Sequence, residues 1–479
     1  METPYVQTMN AMTPLLIENR TFEEIEVGES ASVTRTFTDQ DIQLFALVSG
    51  DVNPAHMDRA FAEDDIFQKV IAHGLWGGGL ISSVLGTELP GPGAIYLSQS
   101  LRFLRPVGLG DSITASVTVT EKRAERHVVL LDCRCVNQRG EEVIVGKAEV
   151  RAPTEKVRRP RIALPDVQLA RHERYHSLLA AAEGGVPVPT VVVHPCDAAS
   201  IAAATEAASL GLINPILIGP RLKIEAAAAT AGTDISAFVL IEVPHSHAAA
   251  ARAVELVRAG EAQLLMKGSL HTDELISAVI AAETGLRTER RISHVYLMDV
   301  PSYPRPLLIT DAAINVAPNL EEKADIIRNA IDLAHAIGIE TPRVAILAAV
   351  ETVNPKMRST LDAAALCKMA DRGQIIGGLL DGPLAFDNAI SPDAAREKGI
   401  VSPVAGIADI LVVPELEAGN MLAKQLSFLA GADGAGIVLG ARVPIILTSR
   451  ADSQRTRIAS CALAVLVARK AADNPVPPS

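Results

Sequence analysis

Two short stretches of this chain carry side chains able to do chemistry. In GDVNPAH, residues 50 to 56, an acid (Asp51) and an imidazole (His56) flank Asn53-Pro54. A carboxylate and an imidazole that share the protons of one water can activate it near neutral pH. On one unbroken helix, positions five apart lie about 140° apart around the axis and cannot meet. The break in the chain answers that geometry. Gly50 is a natural helix terminator, and the residue before a proline is pushed out of the α region. The plainer alternative is that Asp51 caps the turn and His56 lies on the surface.

The second stretch, TSRADSQRTR at 448 to 457, stands between an apolar strand, VPIIL, and a helix, IASCALAVLVA. A strand emptying into a helix start with Ser449, Arg450 and Ser453 combines orphan amides, hydroxyls and a guanidinium fork, which suits phosphate. The same residue types are also ordinary caps and surface groups. Polar loops recur at other strand ends: MKGSLHTDE at 266 to 274, LITDAAINVAP at 308 to 318, LLDGPLAFDNA at 379 to 389 and VPELEAGNMLAK at 413 to 424. Ligands bind at the carboxyl ends of parallel strands. A third feature, AHGLWGG at 72 to 78, sets His73-Gly74 where a glycine-rich helix should begin. Free N–H groups there can hold an oxyanion, while His73 could equally pack near the turn.

The elements that position these groups have two grammars. From about 20 to 152, Thr38 and Asp41 form a capping pair for a helix through IQLFALVS. VIAHGLWGGGLISSVL reads as a buried helix whose small residues let a sheet approach. SITASVTVT alternates strictly, and with HVVLLDCRCV and EEVIVGKAEV it forms a three-stranded meander over 110 to 152. One helix wrapped by an antiparallel sheet is expected. Residues 153 to 170 read as a linker, with the basic run KVRRPR solvated. From 171 to 479, continuous apolar strands (PTVVVH, NPILIG, AFVLIEV, RVAILAAV, QIIGGLL, ADILVVP, VPIILTS) alternate with helices such as ASIAAATEAASLG. These spell parallel sheets in an α/β unit large enough for two lobes, with a cleft as its site.

Bulk properties narrow the classes. At 479 residues the chain should hold two or three domains. A formal net charge of −12 argues against nucleic acid as a partner. Five scattered cysteines suit a reducing compartment. No uncharged apolar stretch approaches the ~20 residues that span a bilayer, and METPYVQTMN lacks the pattern of a leader, so a cytoplasmic protein without a membrane partner is expected.

FALVSGDVNPAHMDRAFA, at 45 to 62, resembles the signature of the MaoC-type (R)-specific enoyl-CoA hydratases, and the likeness covers nearly all of 20 to 152. It implies an α+β hot-dog fold, with Asp51 and His56 as the catalytic pair, Asn53 fixing the turn and the Gly74 amide binding the thioester oxygen. Water would add to a trans-2-enoyl-CoA to give an (R)-3-hydroxyacyl-CoA. Residues 171 to 479 resemble the phosphate acetyl/butyryltransferases, whose two-lobed fold is similar to that of isocitrate and isopropylmalate dehydrogenases. That implies reversible acyl transfer between CoA and phosphate. Ser449 and Arg450 would contact the acyl phosphate, Ser453 would join the phosphate cradle, Lys267 and Thr272 would line the cleft, and Asn420 and Lys424 match a P-x-L-x-x-G-N-x-x-x-K segment.

One departure stands out. Acetyl-type members place an aspartate seven positions after the serine as presumed base, where this chain has Thr456; Asp452 either replaces it or caps the helix. SRADS is more like the butyryl-type members, which leaves the acyl length open. CoA and phosphate are expected as substrates, with no resident cofactor or metal, and both families imply a homo-oligomer. Two alternatives remain: a phosphate acyltransferase with a non-catalytic CoA-binding or dimerising hot-dog module, and a nicotinamide-dependent dehydrogenase. Against the latter, PTVVVHPCDAAS stands where a G-x-G-x-x-G loop would follow the first strand.

Overall fold

The computed structural model describes residues 16–165, 167, 173–449 and 452–473. The chain divides into two compact units, Met1–Leu169 and Ala170–Ser479.

In the first unit, strands β2 (Ser30–Thr36), β3 (Ile95–Phe103), β4 (Ser112–Arg123), β5 (Val128–Val136) and β6 (Glu142–Arg151) form an antiparallel sheet of order β2-β4-β5-β6-β3. Helices α1 (Asp39–Ser49), α2 (Pro54–Met57), α3 (Arg59–Asp64) and α4 (Gly74–Thr87) lie between β2 and β3 in sequence. Local chemistry sets the first of these: Thr38 and Asp41 make a reciprocal capping box, and Gly50 closes α1 in the left-handed region at φ 75°. The glycine-rich α4 packs on the sheet through fully buried Ile81 and Val84, which join Ile113, Val117 and Leu131 in one core. A Cβ at Gly77 would stand 2.4 Å from Ile144 Cδ1, so the helix approaches the sheet more closely than a side chain there would allow without repacking.

The basic run is exposed, as expected, but it is paired into a strand rather than left as a loose tether. Arg158–Pro160 (β7) pairs antiparallel with Leu16–Glu18 (β1). Lys156 reaches Glu18 and Glu24 and donates to the Asn19 carbonyl, and Arg161 pairs with Glu88. Acidic side chains in this unit supply the partners that a reading of the run by itself could not include. The ion pairs are exposed and weak; the strand pairing fixes the segment.

The second unit is built on one sheet of eleven strands: β8 (Val188–Val193), β9 (Ile213–Gly219), β10 (Val239–Glu242), β11 (Leu264–Lys267), β12 (Ser293–Asp299), β13 (Leu307–Thr310), β14 (Arg343–Leu347), β15 (Leu379–Leu384), β16 (Ile410–Val412), β17 (Asp433–Leu439) and β18 (Ile445–Ile446). Their order is β10-β9-β8-β11-β18-β17-β12-β13-β16-β14-β15. This corrects the expectation of parallel sheets. The block from β10 to β18 is parallel and so is the block from β13 to β15, but the joints β18-β17, β17-β12 and β12-β13 are antiparallel, so the two blocks run in opposite directions. QIIGGLL also forms its strand later than expected, from Leu379. One face carries a single core that includes Val192, Leu264, Val295, Leu308 and Ile410. The other carries two, one around Val191, Leu265 and Ile445 and one around Ile309, Ala345 and Leu411.

Candidate active sites

The chain break at Gly50 does bring Asp51 and His56 together. The Ser49 hydroxyl accepts from the Asp51 N–H at 3.2 Å, and Asp51 Oδ1 accepts from the Asn53 N–H at 3.2 Å. Asn53 caps α2, its Oδ1 accepting from the Ala55 N–H at 3.1 Å and its carbonyl from the His56 N–H at 2.9 Å. His56 Nδ1 lies 2.9 Å from the Ile71 carbonyl. A carbonyl only accepts, so Nδ1 carries a hydrogen, and in the neutral ring Nε2 then has the lone pair.

His73, which sequence reasoning left between packing and chemistry, completes this site. Its Nε2 donates to the Asp51 carbonyl at 3.0 Å, and its ring lies against that of His56. Its buried Nδ1 has no hydrogen-bond partner. Asp51, His56 and His73 each place one metal-capable atom within 4.8 Å of the others. His73 is also the N-cap of α4, with no side-chain cap bond; the Trp76 N–H donates to the His73 carbonyl at 3.0 Å, while the Gly74 and Leu75 amides at the helix start lack an intrahelical acceptor. A Cβ at Gly74 would lie 3.0 Å from the Phe103 ring. Near the pair in sequence, Leu47, Val48, Val52 and Phe61 are exposed apolar side chains, as is Leu75 at the start of α4.

In the second unit a cavity of about 380 Å³ opens at the carboxyl ends of β8, β11 and β18. It is lined by Asp197, Ser200, Lys267, Ser269, Ser449 and Arg457 among others. Lys267 is buried at the end of β11 and donates to the Gly268 carbonyl at 3.2 Å. Arg457, 5% exposed, donates to Thr448 Oγ1 at 3.1 Å and to the Ser449 carbonyl at 2.8 Å, which fixes the loop leaving β18. The Ser449 N–H donates to Asp452 Oδ2 at 2.6 Å. Burial pushes the Asp452 carboxyl above its ordinary value, opposed by that N–H and by the charges of Arg457 and Lys267.

Ser449 and Lys267 thus share one cavity, while the other sites expected from sequence divide differently. Arg450 lies outside the described residues. Ser453 precedes the helix Gln454–Asp473, where its Oγ accepts from the Thr456 N–H at 3.1 Å and meets Thr456 Oγ1 at 3.0 Å. That is capping geometry, which occupies the serine at the helix start. Thr272 opens the helix Thr272–Val279 and is not among the cavity's lining. Asn420 and Lys424 lie on the helix Leu416–Leu429; Asn420 Nδ2 donates to the Ala312 carbonyl, Lys424 is exposed, and neither lines the cavity. Asp197, Ser200, Ser269 and Arg457 were missed. Ser269 and Arg457 lie inside the quoted polar loops, whereas Asp197 and Ser200 follow the first strand without any glycine pattern.

A larger, mostly apolar cavity of about 440 Å³ lies along the helix Glu173–Ala182. Its two arginines are paired, Arg174 with Asp299 and Arg455 with Asp433. Both cations are thus answered by carboxylates on the same wall, so the chemistry is assigned to the smaller cavity.

Two family models match the chain: "MaoC like domain" over residues 22–134 and "Phosphate acetyl/butaryl transferase" over residues 242–465. A phosphate acetyltransferase of Rhizobium meliloti is 64% identical over 301 residues, covering 63% of this chain and 95% of that protein. A branched-chain phosphotransacylase from Enterococcus faecalis V583 is similar in structure, with a TM-score of 0.52, 29% identity and coverage of 59% of this chain and 99% of that one. The R-hydratase PhaJ1 from Pseudomonas aeruginosa is 44% identical, covering 32% of this chain and 99% of that one, with a TM-score of 0.32.

Proposed function

Because the chain belongs to the phosphate acetyl/butyryltransferase family, we propose that it is a bifunctional enzyme of short-chain acyl-CoA metabolism, a phosphate acyltransferase in its second unit and an (R)-specific enoyl-CoA hydratase in its first. The observation that carries the transferase reading is the cavity at the ends of β8, β11 and β18, where Lys267 and Ser449 supply a cation and a hydroxyl to one space. A phosphate held there presents its acyl carbonyl to the thiol of CoA, with Arg450 as the cation for the developing oxyanion. CoA and phosphate enter as substrates, without a resident cofactor. SRADS resembles the butyryl-type members and leaves the preferred acyl length open, and the relation to isocitrate dehydrogenase-like folds belongs to the same reading.

In the hydratase, His56 Nε2 takes a proton from a water that Asp51 holds, and that water attacks the β-carbon of the enoyl thioester. The Gly74 amide meets the negative charge that gathers on the thioester oxygen. The exposed apolar residues near Asp51 in sequence suit an acyl chain. Loss of crotonyl-CoA absorbance should fall about 10²-fold or more in Asp51→Asn and His56→Ala, with acetyl phosphate formation from acetyl-CoA unchanged. If the unmodified chain turns over no acetyl-, propionyl- or butyryl-CoA with phosphate, the transferase reading fails.

A homo-oligomer is part of this proposal. Strand β3 is an edge strand whose Ile95, Tyr96 and Leu97 are exposed, an arrangement suited to pairing with a second copy. Among the described residues no helix is long and apolar enough to cross a membrane. All five cysteines are unbridged, in keeping with a cytoplasmic site of action.

A further inference from the structure

A thiol attacks as its thiolate, and a free thiol has a pKa of about 8.5, so acyl transfer to CoA needs a proton acceptor beside the phosphate cavity. Two carboxylates and the position of the family's presumed base bear on that role. Asp197 lines the cavity, but Oδ1 accepts from the Ser200 N–H at 2.8 Å and Oδ2 from the Ser200 hydroxyl at 3.0 Å, so both oxygens are spent at the start of a helix. Thr456 has no titratable group, and its hydroxyl and N–H both meet the Ser453 Oγ. Asp452 remains: half-buried, and tied by Oδ2 to the amide of Ser449, which itself lines the cavity.

We propose that Asp452 is the proton acceptor for the CoA thiol, an inference that rests on the transferase reading above. The thiol proton passes to the Asp452 carboxylate, and the sulfur forms its bond to the acyl carbon of the acyl phosphate. The tetrahedral oxyanion then collapses, the carbon–oxygen bond to phosphate breaks, and the departing phosphate oxygen takes the proton from Asp452. In the opposite direction the protonated Asp452 returns that proton to the leaving thiolate. The hydrogen bond from Ser449 holds the carboxylate in register with the cavity. The upward shift produced by burial brings the acceptor nearer to the thiol in proton affinity, which improves transfer.

The charged and titratable groups facing Asp452 are Lys267 from β11, Arg457 from the first turn of the last helix and Tyr296 from β12, the last pushed up to about 12 by burial and by the Asp452 charge. His194, which meets Ser269 on the cavity wall, is held below its ordinary value by burial and can titrate in acid, so a limb of the pH profile must vanish with Asp452 to be assigned to it.

The experiment uses the full chain, acetyl phosphate and CoA. Asp452→Asn keeps an oxygen that can accept from the Ser449 N–H and removes the base. Turnover (kcat) should fall about 10²-fold or more, with KM for acetyl phosphate within about twofold of the original. The decline of kcat toward low pH should disappear, and Asp452→Glu should recover at least about tenfold over Asp452→Asn. Retention of more than about a third of kcat with the original acidic limb, or a raised KM at unchanged kcat, would overturn the assignment and leave the residue as a cap. No acetyl-CoA formation from acetyl phosphate and CoA by the unmodified chain would overturn the transferase reading and this inference together.

Discussion

The imidazoles of His56 and His73 lie against each other with ring centroids 4.1 Å apart and planes tilted by 40°, and His73 Nε2 holds the carbonyl of Asp51. One buried histidine therefore touches both members of the pair that the Asn53-Pro54 break brings together. It braces one by ring contact and the other through its backbone.

That relationship predicts the effect of His73→Phe. The ring contact survives and the donor is lost, so the Asp51 carbonyl loses its partner. A hydrogen bond of this kind is worth about 0.5–1.5 kcal/mol. Crotonyl-CoA hydration should therefore fall roughly 3- to 10-fold in kcat, with acetyl-CoA phosphorolysis unaffected. An unchanged hydration rate in a steady-state assay would show that Asp51 is positioned without His73.

Gly268 separates the two cavity residues Lys267 and Ser269. A Cβ there would lie 2.4 Å from the Val193 carbonyl oxygen and 2.6 Å from that of His194, both backbone atoms that cannot swing aside. Gly268→Ala should cost about 1–3 kcal/mol in denaturant unfolding of the second unit and should depress transferase turnover by about tenfold or more, leaving hydration intact. Equal activity in both assays would mean that the loops after β8 and β11 do not have to touch for the cavity to work.

How much of this was legible in the sequence depends on how local each cause is. The capping box at Thr38 and Asp41, the left-handed Gly50 and the alternation of β4 are settled within a few residues, and all appear as read. Strand direction is not local. Val295 and Ile437 are as apolar as Val192, because burial on both faces makes a strand apolar whichever way it runs, so the antiparallel joints around β12 and β17 left no mark. The donation from His73 to Asp51 crosses 22 positions, and Arg457 reads as a surface residue until the end of β18 brings Thr448 and Ser449 to it. Asn420 belongs to a segment typical of the family, yet its amide is spent on the Ala312 carbonyl.

Lys323 and Asp362 make a buried ion pair at 2.7 Å, their side chains 6% and 12% exposed, between the helices Leu320–Ala336 and Arg358–Asp371. Removing the lysine leaves a carboxylate that, among the described residues, has only the Arg358 guanidinium, at 3.6 Å, to answer it. Lys323→Met should destabilise the second unit by about 3 kcal/mol, the lower end for a broken buried pair because Arg358 remains. Lys323→Met combined with Asp362→Leu should recover much of that loss, and guanidinium unfolding of the two variants measures both.

His294 on β12 gives the second unit an acid sensitivity. The side chain is fully buried, neither ring nitrogen makes a hydrogen bond of good geometry, and burial drives its pKa from an ordinary 6.5 down to about 3, a looser approach to the Leu447 carbonyl opposing only part of that. The folded unit therefore holds a neutral imidazole where the unfolded chain takes up a proton. Its contribution to stability is complete above pH 6.5 and is lost as pH falls from there toward about 3, because the unfolded state binds the extra proton across that window. The slope approaches about 1.4 kcal/mol per pH unit for one proton. His294→Leu should remove that slope, so the midpoint of urea unfolding of the second unit between pH 6 and pH 4 should fall less steeply in the variant than in the parent. Parallel profiles would show that another group carries the acid response, since a neutral buried imidazole cannot be exchanged for leucine without removing one proton of linkage.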